Sequence, residues 1–140
     1  MKHIAKRILL VLLALSALPA FAFAQGQTES PQENNQAVYH TITPQEAKKR
    51  LDTDKDIILL DVRTESEFTQ GHIPGAKNIP LQELSDVASA QLPNKDATIF
   101  VYCRSGNRSK TASKALVKLG YTQIYDLGGI IDWPYETVSP

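Results

Sequence analysis

The side chain best placed for nucleophilic chemistry is Cys103, the one cysteine in 140 residues. It follows directly on Thr98-Ile99-Phe100-Val101-Tyr102, a run that reads as a strand. Arg104-Ser105-Gly106-Asn107-Arg108 comes next, and a helical pattern begins at Ser109. Gly106 and Asn107 tolerate the backbone angles of a tight turn. A loop of this kind can direct several N–H groups inward as an anion nest. The helix N-terminus adds partial positive charge, and Arg104 and Arg108 add full charges. Such a setting favours thiolate over thiol and holds an anion beside it. A buried, inert cysteine is the plainer alternative, but it gives no reason for the glycine loop and two arginines.

The elements that must position this loop follow from periodicity. Val38 to Ile42 reads as a strand. Thr43-Pro44-Gln45-Glu46 is a capping box with proline at the first helical position, opening a helix to about Leu51. Ile57 to Leu60 is a continuous apolar run, as in a strand buried on both faces. Thr64-Glu65-Ser66-Glu67 is a second capping box, for a short helix. Ala76 to Ile79 reads as a short strand, Leu81 to Gln91 as a helix and Gln123 to Leu127 as the last strand. The helix from Ser109 to Leu119 carries Ala112, Ala115, Leu116 and Leu119 on one face, and Gly120 ends it. Strands alternating with helices predict an α/β domain with a mainly parallel central sheet and helices on both faces. Ligands in such sheets bind beyond the carboxyl ends of the strands, which draws interest to the residues after Leu60 and Tyr102.

The amino terminus has another character. Lys2, Lys6 and Arg7 precede the apolar run Ile8 to Leu18, Pro19 breaks it, and Ala22-Phe23-Ala24 supplies small residues for a signal peptidase. The expectation is a signal peptide over 1–24, a disordered linker over 25–36 and one domain over 37–140. The protein is then periplasmic or secreted, with no stable membrane insertion after cleavage. A membrane anchor is the rival, but a span needs about 20 apolar residues. The remaining chain has twelve Lys and Arg against fifteen Asp and Glu, a net charge of −3. That argues against nucleic acid as a partner.

Four segments resemble the rhodanese-like family, in its order: Asp61-Val62-Arg63 with Glu67-Phe68; Gly71-His72-Ile73-Pro74-Gly75-Ala76 with Asn78-Ile79-Pro80; Cys103-Arg104-Ser105-Gly106-Asn107-Arg108-Ser109; and Gly128-Gly129 with Trp133. Together they span roughly 38–137 and are similar to the single-domain periplasmic phage-shock-type members. The resemblance implies a thiosulfate sulfurtransferase working by ping-pong sulfur transfer, with Cys103 as nucleophile and persulfide carrier. It implies that Arg104 and Arg108 orient a small anionic sulfur donor and that backbone N–H groups of 104–108, including Ser105, Gly106 and Asn107, hold the persulfide. Cyanide, a thiol or a periplasmic protein would accept the sulfur, with no cofactor and no metal.

Other residues have plainer roles. Asp61 and Arg63 suit a local ion pair or cap. His72, in a Gly/Pro turn, suits a structural hydrogen bond better than general base catalysis. Gly129 suits close backbone approach to the loop, and Trp133 a core or pocket-wall position. Lys110, Lys114 and Lys118 mark a solvated helix face that could also steer anions. The three histidines and one cysteine are dispersed, unlike a metal site. Two rival functions remain. Cysteine phosphatases and arsenate reductases carry an arginine six positions after the cysteine, where this chain has Ser109; its loop is one residue tighter. The other rival is a module that carries sulfur to, or binds, a protein partner without turnover.

Overall fold

A computed structural model describes residues 38–140. The expected signal peptide and linker, 1–36, lie outside the described residues, as does Ala37. Ten short elements follow one another. They are β1 (His40–Thr41), α1 (Pro44–Thr53), β2 (Ile58–Asp61), α2 (Glu65–Gln70), β3 (Lys77–Asn78), α3 (Leu81–Gln91), β4 (Thr98–Cys103), α4 (Asn107–Lys118), β5 (Gln123–Gly129) and a 3-10 turn at Ile130–Asp132. The strands form one sheet in the order β1-β5-β4-β2-β3. Every pairing is parallel, so the sheet is wholly parallel where sequence periodicity predicted a mainly parallel one.

The capping box forms in full at Thr64 and by its threonine half alone at Thr43. Thr43 accepts the Glu46 N–H at 3.2 Å, with Pro44 opening α1. Thr64 accepts the Glu67 N–H at 3.2 Å while Glu67 accepts the Thr64 N–H at 3.0 Å, closing both halves of the box on α2. Edge strands are shorter than their apolar patterns suggested. β1 keeps two residues of the expected five and β3 two of four, because each has one neighbour to pair with.

The central strand β4 explains the layers. Its side chains alternate across the sheet. Ile99, Val101 and Cys103 enter one core with Leu84 and Ala88 of α3 and Ala112 and Leu116 of α4. Phe100 and Tyr102 enter the opposite core with Ala47 of α1 and Trp133. Tyr121, buried in the first core, donates its hydroxyl toward the Ala88 and Leu92 carbonyls at 2.9 and 2.7 Å, tying the end of α4 to the end of α3.

Between Val101 and Tyr102 the β4–β5 register slips, so that Val101 faces Asp126 but Tyr102 faces Gly128. Leu127 is the extra residue, and the slip brings Gly129 opposite Cys103.

At the carboxyl end of β2 a buried ion pair closes the fold. Arg63 Nη2 lies 2.6 Å from Asp61 Oδ2, with side chains 7 % and 0 % exposed. The same guanidinium donates to the Gly71 carbonyl at 2.7 Å, and Asn78 Nδ2 donates to the Asp61 and Arg63 carbonyls at 3.0 Å each. Burial works against the arginine's charge, but the Asp61 hydrogen bonds and negative charge outweigh it and hold its pKa above the ordinary value. Replacing Arg63 by Met should therefore strand a buried carboxylate and cost about 3–5 kcal/mol. Urea melts of the two proteins would measure it; a loss under about 1 kcal/mol would mean that water or another donor replaces the arginine.

Candidate active site

Cys103 is the last residue of β4, and α4 starts four residues later. The turn between them depends on Gly106, which adopts φ +101°, in the left-handed region where a side chain is strained. That geometry points the Gly106 N–H back at Cys103 Sγ, 3.1 Å away. The helix begins at Asn107, two residues before its expected start at Ser109. Ser109 instead lies buried in the first turn, its hydroxyl donating to the Gly106 carbonyl at 3.0 Å. The first N–H groups of α4 have no intrahelical acceptors and face the loop end of the helix. Sγ thus sits at a strand end where a turned-in amide and a helix N-terminus meet, and the amide and the helix end favour an anion there. Cys103 itself is 1 % exposed.

The two arginines of the loop have different surroundings. Arg104 is exposed and makes no side-chain hydrogen bond or ion pair among the described residues. It lines a depression of about 370 Å³ together with Arg63, Glu67, Ile130 and Ile131. Arg108 was expected to orient a donor beside Arg104. Its fork is instead committed to Glu67, with Nη1 to Oε2 and Nη2 to Oε1 both at 2.7 Å. The earlier helix start puts Arg108 in the first turn of α4, and Glu67, in the first turn of α2, reaches it there. The Arg108 hydrogen bond, helped by those of Thr64 and opposed by burial, lowers the Glu67 pKa from 4.5 to about 2. A depressed carboxylate stabilises the fold above its unfolded value, so this pair's contribution is complete above about pH 4.5 and is lost as pH falls toward 2. Side chains 30 % and 29 % exposed keep that contribution modest. Sequence reasoning had Glu67 only as a helix cap and part of a family segment. It is both cap and ion-pair partner, because its Oε2 accepts from Thr64 and from Arg108.

The remaining expected site residues frame the loop without touching the sulfur. Ser105 and Asn107 are exposed at the turn. Asp61 and Arg63 lie at the end of the neighbouring strand β2. Burial and the Asp61 charge hold the Tyr102 phenol well above its ordinary range, and its oxygen accepts the Ile73 N–H at 3.1 Å. His72 is part of a structural knot. Its ring stacks on Phe68 at 3.7 Å between centroids, its Nδ1 lies 2.9 Å from the Phe68 carbonyl, and its backbone exchanges two hydrogen bonds with Val138. Trp133 is 9 % exposed in the second core, donating Nε1–H to the Glu136 carbonyl at 3.3 Å. A larger groove, about 560 Å³, runs between α2 and the start of α3, with the carboxylates of Glu65 and Glu83 and no nucleophile.

Gly129 is packed against the loop itself. A Cβ there would overlap the Arg104 carbonyl oxygen and stand 2.7 Å from Ser105 Cα. The Ile131 N–H donates to that same carbonyl at 3.2 Å, so the loop cannot simply retreat. Gly129→Ala should displace residues 104–106 and lower reactivity at Cys103 by about 100-fold, the scale of an ångström-sized misplacement. Alkylation rates of wild type and variant would check this. Equal rates would show that the loop yields without consequence.

The chain matches the rhodanese-like domain family over residues 43–134. It is 38 % identical over 73 residues to the thiosulfate sulfurtransferase PspE of Escherichia coli, covering 52 % of this chain and 70 % of that protein. It is 39 % identical over 93 residues to a sulfurtransferase of Allochromatium vinosum, covering 66 % and 85 %. Among solved structures, the solution structure of a rhodanese-like domain from Anabaena superposes with a TM-score of 0.68 at 29 % identity, covering 74 % of this chain and 81 % of that one. The Escherichia coli rhodanese with anions gives 0.57 at 34 % identity, covering 60 % and 99 %. Sulfur transfer is the class of activity these relatives support. With a matching family segment, an all-parallel five-stranded sheet and a cysteine at the strand-to-helix turn, the chain belongs to the rhodanese-like domain family.

Proposed function

We propose that this protein is a thiosulfate sulfurtransferase that carries sulfur as a persulfide on Cys103. The observation that supports it most is the Gly106 N–H aimed at Cys103 Sγ in a turn that opens α4. An amide donor and a helix N-terminus stabilise a thiolate before the reaction. The same helix N-terminus favours the persulfide anion after it.

Each step balances in atoms and charge. The Cys103 thiolate attacks the outer sulfur of thiosulfate; a sulfur–sulfur bond forms, the bond to the sulfonate sulfur breaks, and sulfite departs with the electron pair. Cyanide or a thiolate then attacks the terminal sulfur, leaving as thiocyanate or as a new persulfide, and the Cys103 thiolate returns. No proton transfer is needed in either displacement with anionic reactants, consistent with a site whose one histidine nearby, His72, is held by Phe68 and Val138.

Treating the protein with thiosulfate should add one sulfur, about 32 Da for the element, to its intact mass. Cyanide should remove it, and Cys103→Ser should gain nothing. Sulfur turnover persisting in Cys103→Ser would refute the persulfide. Arg104 is the arginine of the loop with an uncommitted charge, so Arg104→Ala should raise the Michaelis constant for thiosulfate by about 10-fold, the low end for a lost charged hydrogen bond at an exposed position. Melting should barely change, as at most surface positions. An unaltered Michaelis constant would leave anion capture to the loop amides alone.

A further inference from the structure

Glu67 carries a full negative charge beside the arginines of the loop, an unusual neighbour for a site that is to attract anions. It is not there by accident of a flexible chain. Its backbone and carboxylate are fixed by the capping box at the start of α2, and its second oxygen completes a two-pronged contact with Arg108. Arg108 in turn lies in the first turn of α4, whose N-cap Gly106 donates its N–H to Cys103 Sγ at 3.1 Å. Glu67 also lines the same depression as Arg104. We propose that Glu67 is a specificity-determining residue: by neutralising Arg108 beside Cys103, it limits the site's preference for doubly charged sulfur donors over singly charged ones. This deepens the sulfurtransferase reading and rests on it.

The reasoning is electrostatic. A donor entering the depression meets Arg104 with its charge uncompensated and Glu67, whose charge is cancelled against that of Arg108. Were Glu67 neutral, the site would gain one net positive charge. The attraction between that charge and a donor is proportional to the donor's own charge. In water-like surroundings, a unit charge at roughly 6 Å is worth about 3-fold in affinity for a monoanion and about 10-fold for a dianion. The gain is therefore unequal, and the inequality is what a structural role would not produce.

The substitution Glu67→Gln isolates the charge. Glutamine serves at the third position of a capping box as glutamate does, so α2 keeps its start. The reaction to follow is the loading of Cys103 by two donors, thiosulfate as dianion and benzenethiosulfonate as monoanion. Each delivers one sulfur to the thiolate, with sulfite or benzenesulfinate as the leaving group. Intact mass against time gives a second-order rate constant for each donor in wild type, Glu67→Gln and Glu67→Asp, with melting curves confirming that each variant is folded.

In Glu67→Gln, loading by thiosulfate should rise about 10-fold and loading by benzenethiosulfonate about 3-fold, so their ratio shifts about 3-fold. Added salt should shrink that shift, because the charges are partly exposed. Glu67→Asp keeps the charge while shortening the reach, and its ratio should stay near wild type. An unchanged ratio in Glu67→Gln, or an equal shift in both variants, overturns the proposal and leaves Glu67 a brace for the loop. Failure of the wild type to load from either donor would instead defeat the sulfurtransferase reading, and the proposal with it.

Discussion

The buried pair of Asp61 and Arg63 is the constraint on which the site's architecture rests. An ion pair taken out of water is tolerable only when its remaining hydrogen-bonding capacity is filled. Here the filling is done by the chain that returns to it. The Arg63 backbone N–H and Nε go to Asp61, and its Nη2 also reaches the Gly71 carbonyl after α2. Asn78 of β3 closes the far side. Satisfying one charge pair therefore fixes the end of β2, the exit of α2 and the entry of the edge strand together. With α2 fixed at its exit and capped at its entry, Glu67 has one place to stand, and the Arg108 contact follows from it. The reactive turn is braced from that side by an ion pair and from the other by a glycine.

Much of this was legible in the sequence because it is local. Capping boxes at Thr43 and Thr64 act over three residues, and their helices begin where the pattern puts them. Helix α3 runs from Leu81 to Gln91, as its periodicity predicts. The run into Cys103 is a buried strand because every one of Ile99, Phe100, Val101 and Tyr102 is enclosed by one core or the other. What was not legible is non-local. The Glu67–Arg108 contact spans 41 positions, and neither residue carries a periodicity that names the other. The start of α4 came two residues early because Gly106, not a side-chain cap, makes the turn into it. The slip at Leu127 that sets Gly129 against the loop has no mark in the sequence beyond the paired glycines. The short 3-10 turn at Ile130–Asp132 was likewise silent.

The loop also shows how one arginine can be tied into the frame and another left unpaired among the described residues without any difference in residue type. Arg104 follows the nucleophile in a turn and faces outward. Arg108 lies in the first turn of α4 and is met by Glu67 from the first turn of α2, so the contact joins side chains of two helix starts. A carboxylate between them offsets both dipoles as well as the guanidinium, which is one physical reason for glutamate at that junction. Charge counted along the sequence overstates the field that a ligand meets, because part of it is spent inside the frame.

The sulfur of Cys103 is almost wholly covered, at 1 % exposure for the residue. A disulfide requires two sulfurs about 2.05 Å apart with their β-carbons about 3.8 Å apart. A second folded protein cannot bring a β-carbon that close to a recessed atom, so two copies of this chain cannot cross-link through Cys103 while the turn is intact. In the proposed reaction the persulfide's outer sulfur would lie one S–S bond, about 2.05 Å, beyond Sγ. Under the proposed sulfur transfer, burial would thus shield the sulfur that is kept from a second copy of the chain.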